Sequence, residues 1–152
     1  MNGSILHKII SGGQTGVDRA ALDVALELDR PCGGWCPKGR RAVDGVIPAK
    51  YPLQETESPD YVVRTRLNVL DSDGTLILNR GELSGGTQYT IDFAEKEGKP
   101  YLVMALDRSP NPQEVIDWIT QNNIHILNVA GPREEGRPGI HSQAVGFLQK
   151  VL

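Results

Sequence analysis

An apolar, β-branched run, Ile5-Leu6-His7-Lys8-Ile9-Ile10, stops abruptly at Ser11-Gly12-Gly13-Gln14-Thr15-Gly16. Immediately afterwards Val17, Ala20, Ala21, Val24, Ala25 and Leu28 recur at helical spacing. A strand that ends in glycines and passes at once into an amphipathic helix is the opening of a βαβ unit, and it predicts a parallel sheet clad by helices. The rest of the chain repeats the alternation. A second strand is expected over Cys32–Cys36, a third over Thr75–Leu78, a fourth over Tyr101–Leu106 and a fifth over His125–Ala130. Between them, Asp60 can cap a helix that runs through Leu70 with Val63, Leu67 and Leu70 inward. Further helices are expected over Thr87–Glu97, Pro112–Asn122 and Gly139–Leu152. Pro37–Pro59 has no convincing period, and a loop that long inside a small domain is usually functional or mobile. The expected fold class is therefore α/β: one Rossmann-like, doubly wound domain over residues 1–152, with a five-stranded, mainly parallel sheet of order 2-1-3-4-5.

Composition narrows the function classes. The net charge of −3 argues against a general nucleic-acid binder, which normally carries a basic excess. No apolar run is long enough to span a bilayer, and the N-terminus lacks the pattern of a secretory signal, so a cytoplasmic location is expected. Cys32 and Cys36 cannot complete a structural zinc site by themselves, and His7, His125 and His141 are scattered. No metal site and no catalytic nucleophile are expected.

Free backbone N–H groups at a helix N-terminus bind anions through hydrogen bonds and the helix dipole. Gly12, Gly13 and Gly16 remove side chains where a phosphate must approach, and Gln14 and Thr15 add polar groups. The G-G-x-x-G spacing matches neither the dinucleotide fingerprint nor the P-loop. A lone loop of this kind is as readily a tight turn as a ligand site. The second glycine loop, Ser84-Gly85-Gly86-Thr87, tips the balance because it also opens a helix after a strand. In a 2-1-3-4-5 sheet the first and third strands flank the switch point, where ligands bind. Both loops are then expected on one crevice, with a small phosphorylated ligand as the partner.

At these residues the sequence resembles the molybdenum carrier family, a branch of the superfamily that includes the lysine decarboxylase-like (LOG) proteins. The stretches that carry the resemblance are Ser11–Arg19, Gly33–Arg40, Tyr51–Thr56, Arg64-Thr65, Asp71–Thr75, Ser84–Thr87 and Asn128–Arg133, nearly the whole chain. The resemblance implies a Rossmann-like protein that carries molybdenum cofactor (molybdopterin) or a related nucleotide, works as a homo-oligomer (dimer or tetramer) and serves molybdoenzymes. It also implies that Arg64 contacts the phosphate. The LOG enzymes, which release a base from nucleoside monophosphates, are informative by contrast. Their P-G-G-x-G-T-x-x-E motif resembles Glu82–Thr90, but its glutamate position falls on Thr90. A neutral hydroxyl cannot act as a carboxylate would near pH 7, so a holding site is expected ahead of a phosphoribohydrolase or a ligand sensor.

Other candidates divide between ligand and scaffold. Asp18 can reach a ribose or pterin group, or simply favour the helix dipole; Arg19 is undecided. Arg64 and Arg66 cannot share a helix face. Arg133, in Gly131-Pro132-Arg133 past the fifth strand, lies on the same rim as both glycine loops. Lys38, Arg40 and Arg41 are either a lid or solvated charge. Trp35, Tyr51 and Tyr89 are candidates to stack on a ring, although packing is the commoner role. Asp71 and Asp73 read as a turn at the amino end of the sheet.

Overall fold

The computed structural model describes residues 5–152; residues 1–4, the expected start of the domain and of the N-terminal segment without a secretory pattern, lie outside the described residues. β1 (Lys8–Ile10) leads into α1 (Val17–Glu27), which returns to β2 (Cys32–Gly33). The strand expected over Cys32–Cys36 is broken by Gly34, whose φ of 126° no side-chain-bearing residue adopts easily. Beyond the break, β3 (Trp35–Cys36) leaves the main sheet and pairs with β6 (Gln54–Glu55). The intervening segment, expected to be without structure, holds a small antiparallel hairpin, β4 (Arg41–Ala42) and β5 (Gly45–Val46). It is ordered by Arg40, whose guanidinium donates to the carbonyls of Ile47, Pro48, Tyr51 and Leu53. Then come α2 (Tyr61–Asp71), β7 (Gly74–Asn79), α3 (Gly85–Lys96), β8 (Tyr101–Ala105), α4 (Pro112–Gln121), β9 (Ile126–Ala130) and α5 (Ile140–Val151).

The fold is α/β and Rossmann-like, and every pairing in its five-stranded sheet is parallel. The expected strand order needs correcting. The sheet runs β2-β1-β9-β7-β8, so the last strand lies between the first and the third rather than at the edge. Burial gives the physical reason. All six residues of β7 are buried and the centre of β9 is buried, whereas β8 leaves Val103 36% exposed, as an edge strand can. Counting strands from β7 instead of β1 turns the observed order back into 2-1-3-4-5. The sheet is the expected one with its starting point moved along the chain.

Right-handed crossovers then fix the layers. α1, α4 and α5 pack together on one face, and α2 and α3 on the other. The main core lies under the first group: Ile9, Leu76, Leu78, Leu127 and Val129 point into it from the sheet, against Val17, Ala21, Val24, Val115, Ile140 and Leu148. The opposite face of the sheet carries buried Ile10 and Ile77 but also Thr75 and Asn128, adjacent across the β7–β9 ladder and joined by a hydrogen bond of 3.2 Å. α2 meets this polar patch with a polar face of its own. Val63 and Leu67 are only half-buried and Leu70 is 42% exposed, contrary to the expected inner stripe; the buried positions are Asn68 and Val69.

Candidate functional site: a cationic cavity over the end of the central strand

Strand order reverses on either side of β9, because β1 feeds outward to β2 and β7 feeds outward to β8. The two glycine loops therefore do not follow adjacent strands. They flank the carboxyl end of β9, and its own exit loop, Gly131-Pro132-Arg133, lies between them. A cavity of about 590 Å³ opens at this point, within the range usual for small-ligand sites. Among the residues expected at a site, Gly12, Gln14, Asp18, Arg64, Ser84, Gly85, Gly86, Thr87 and Arg133 line it.

Gly13, Thr15 and Gly16 lie outside the lining and shape the loop instead. Gly13 has a φ of 78°, and a side chain there would press on Leu53 and Ile47. Gly16 has a φ of 83° and sits against the backbone of Pro132 and Glu134. Thr15 turns its hydroxyl to Glu135 at 2.5 Å. The amides of this loop are largely used within the protein: Gln14 N–H donates to Asp18 Oδ2, Thr15 N–H to Gln14 Oε1, and Val17 N–H to the Pro132 carbonyl. The second loop is different. The N–H groups of Gly85, Gly86 and Thr87, at the start of α3, have no acceptor among the described residues. Nothing lies within 4 Å of the position where a side chain would start at Gly85 or Gly86. The open helix end is that of α3.

Asp18 is the only carboxylate in the lining, and it is 6% exposed. Its Oδ2 accepts from Gln14 N–H and from Arg64 Nη1, both at 3.3 Å. Burial lifts the Asp18 carboxyl to about 6 despite the opposing pull of Arg64, the Gln14 N–H, Arg19 and Arg133. Arg64 also donates to the Gly12 carbonyl at 2.9 Å, across the space that a side chain at Gly12 would fill. Gln14 is held by its oxygen, which accepts from Thr15 N–H and from Val43 N–H. Its Nε2, fully buried, has no acceptor. That orphan donor on a cavity-lining side chain is a group waiting for an acceptor.

Several lining residues were not anticipated: Tyr61, Val62, Thr65 and Asn68 from α2, Asn128 from β9, and Gly136 and Arg137 beyond it. Tyr61, Arg64, Thr65 and Asn68 fall at i, i+3, i+4 and i+7, the spacing of one helix face. A polar stripe at helical period was the available signal. Arg137 is spent on carbonyls, donating to Arg80, Gly136 and Glu82, and so ties the exits of β9 and β7 together.

The remaining candidates are placed elsewhere. Arg19 pairs with Asp44 at 2.6 and 2.9 Å on the hairpin side. Arg66 donates to the Tyr89 hydroxyl at 2.6 Å, so it joins α2 to α3, while Tyr89 itself lines the cavity. Trp35 donates to Asp71, and Tyr51 is buried in a small second core with its hydroxyl on Asp23. Asp73 accepts the N–H groups of His125 and Ile126, fastening the amino end of β9. The Thr90 hydroxyl donates to the Gly86 carbonyl at 3.1 Å. Burial pushes both cysteine thiols up, and neither lines the cavity. Among the described residues no three His, Cys, Asp or Glu side chains gather as metal ligands, and no helix is long and apolar enough to cross a membrane.

Comparisons with known proteins bear on the family and the fold. The model of the circularly permutated YpsA SLOG family matches residues 9–152. A solved structure of a putative molybdenum carrier protein from Syntrophus aciditrophicus superposes with a TM-score of 0.95 at 47% identity, covering 98% of this chain and 96% of that one. No curated protein matches the chain.

Proposed function

Because this chain belongs to the circularly permutated YpsA SLOG family, we propose that it is a binding or carrier protein for a phosphate-bearing, nucleotide-like cofactor, with molybdenum cofactor the leading ligand. The observation that carries the reading is the unmatched cationic character of the cavity: Arg64, Arg133 and Arg137 line it against the single carboxylate of Asp18. The open end of α3 and the orphaned Gln14 amide add donors of the same sign. The neighbour from Syntrophus aciditrophicus, described as a molybdenum carrier, supports the choice of ligand.

The residues fit such a group. Arg64 and Arg133 on one side and the Gly85–Thr87 amides on the other would hold its anionic groups, and Asp18, Asn128 and Thr90 would meet the ring's polar edge. The molybdenum cofactor supplies redox chemistry to the enzyme that uses it; this chain's side chains bind, orient and shield it. On this reading the chain acts as one cytoplasmic domain, assembles as a homo-oligomer and hands its cargo to molybdoenzymes. Native mass spectrometry of freshly purified protein tests the proposal: a retained pterin or nucleotide, lost in Arg64→Ala, is the expected result. Catalytic release of free base from a nucleoside monophosphate would replace the carrier by a hydrolase using Asp18.

A further inference from the structure

Tyr61 opens α2 at the mouth of the cavity, and three guanidiniums gather on its ring. The central carbons of Arg41, Arg133 and Arg64 lie 4.9, 5.1 and 5.4 Å from its centroid. A ring has two faces, so at least two of the three cations share one of them. Each gains a cation–π contact, but they repel one another, and the repulsion is offset only in part. Arg64 has Asp18 as a partner at 3.3 Å. The side chains of Arg41 and Arg133 make no ion pair or hydrogen bond among the described residues. Arg41 is exposed, on the β4–β5 hairpin. Two of its basic neighbours differ from it: Arg40 is consumed by four carbonyls of its own loop, and Lys38 makes no contact with Tyr61.

Arg64 and Arg41 are anchored toward β1, on the far side of β9 from the open end of α3, with Arg133 at the exit of β9 between them. Arg64 is tied to the loop after β1 through the Gly12 carbonyl, and the Arg41 hairpin is tied to α1 through the Asp44–Arg19 pair. α3 follows β7, two strands away across β9. Neighbouring strands lie about 4.8 Å apart, so the anchors of the two cationic sets are separated by roughly 10 Å. Arg64, Arg133 and Arg137 line the cavity against one carboxylate, and Arg41, which does not line it, adds a fourth guanidinium at the Tyr61 ring; together they hold more positive charge than a dianionic monophosphate compensates.

We propose that the cavity takes a ligand with two linked anionic centres, a diphosphate rather than a monophosphate, and that Arg41 is the residue that discriminates between them. One centre sits at the Gly85–Thr87 amides and the other against the arginines around Tyr61. The inference rests on the binding reading above and names its ligand class.

Isothermal titration of inorganic phosphate and inorganic pyrophosphate into the full chain tests it without prejudging the base. Expected is at least tenfold tighter binding of pyrophosphate. Arg41→Ala removes most of that advantage and leaves phosphate binding within twofold, while Lys38→Ala changes neither. Equal affinity for the two anions overturns the inference but leaves the anion site standing. So does an Arg41→Ala variant that weakens both alike, or a Lys38→Ala variant that loses as much as Arg41→Ala. Binding of neither anion overturns both the inference and the reading beneath it. The Arg41 side chain is exposed and makes no hydrogen bond, so its loss leaves the fold intact; an unchanged thermal midpoint checks this.

Discussion

Asp18 holds a charge in a place where a charge is costly. Its carboxyl is lifted to about 6 chiefly by burial, so the folded chain holds that proton more tightly than the unfolded chain does. The sign follows from linkage: the contribution to stability is full below about pH 4 and is lost as pH rises through about 6. Asp44 and Glu134 shift the other way, the first through Arg19 and the second through the N–H groups of Gly139 and His141, and act equally in any Asp18 variant. Urea titrations from about pH 4 to pH 7 should therefore show wild type losing on the order of 3 kcal/mol relative to Asp18→Asn. Parallel curves would disprove the assignment. A neutral Asp18 also leaves the cavity more cationic, so sulfate, whose charge does not change in this range, should bind more tightly toward pH 5. Asp18→Asn should flatten that dependence. Arg64→Ala removes a charge-assisted contact, commonly about 1.5–3 kcal/mol, and should weaken pyrophosphate binding by roughly ten- to a hundredfold in a calorimetric titration.

Among the elements, α2 carries the most of the site and was the least well read. Its start was legible: Asp60 is the cap, its Oδ1 accepting from Val62 N–H at 2.9 Å. Its inner face was not, because apolar periodicity was sought where Tyr61, Arg64, Thr65 and Asn68 form a polar stripe facing a cavity. A helix that borders a ligand does not carry the pattern of one that borders a core. The two glycine loops were legible as loops, yet similar sequences serve different ends. The first spends its amides on Asp18, Gln14 and Pro132, which no spacing rule foretells, while the second leaves them open. Loss of the α2 cap gives a prediction at this scale. Asp60→Ala should cost about 1 kcal/mol and lower the thermal midpoint by roughly 2–4 °C. Because the first turn positions Tyr61 and Arg64, anion affinity should fall as well; a destabilised variant that binds as tightly as wild type would separate cap from site.

At the scale of the molecule, the strand inventory and the parallel sheet could be read from apolar runs alone. The order could not, since no local pattern in Ile126–Ala130 distinguishes a central strand from an edge. The displaced starting point has a physical corollary. Arg30 donates to the carbonyls of both Leu6 and Leu152, so the two ends of the described chain meet at one guanidinium. Joining them with a short Gly/Ser linker and opening the chain between Ser58 and Pro59 restores the 2-1-3-4-5 order. That permutant should unfold cooperatively and keep the helical circular dichroism spectrum and the anion affinity of the original. An aggregated or molten product would show that the present starting point matters to the fold.

The polar seam between α2 and the sheet would also make a bound ligand a participant in folding. Beside the cavity apolar packing thins out: α2 buries only Asn68 and Val69, and Asn128 of the sheet lines the cavity. A ligand seated there supplies the atoms that the layer lacks, and binding to the native state alone adds about 2.7 kcal/mol at a hundredfold excess over Kd. The free protein is accordingly the form most exposed to unfolding and proteolysis. Its steady-state abundance should rise and fall with the supply of any ligand bound there.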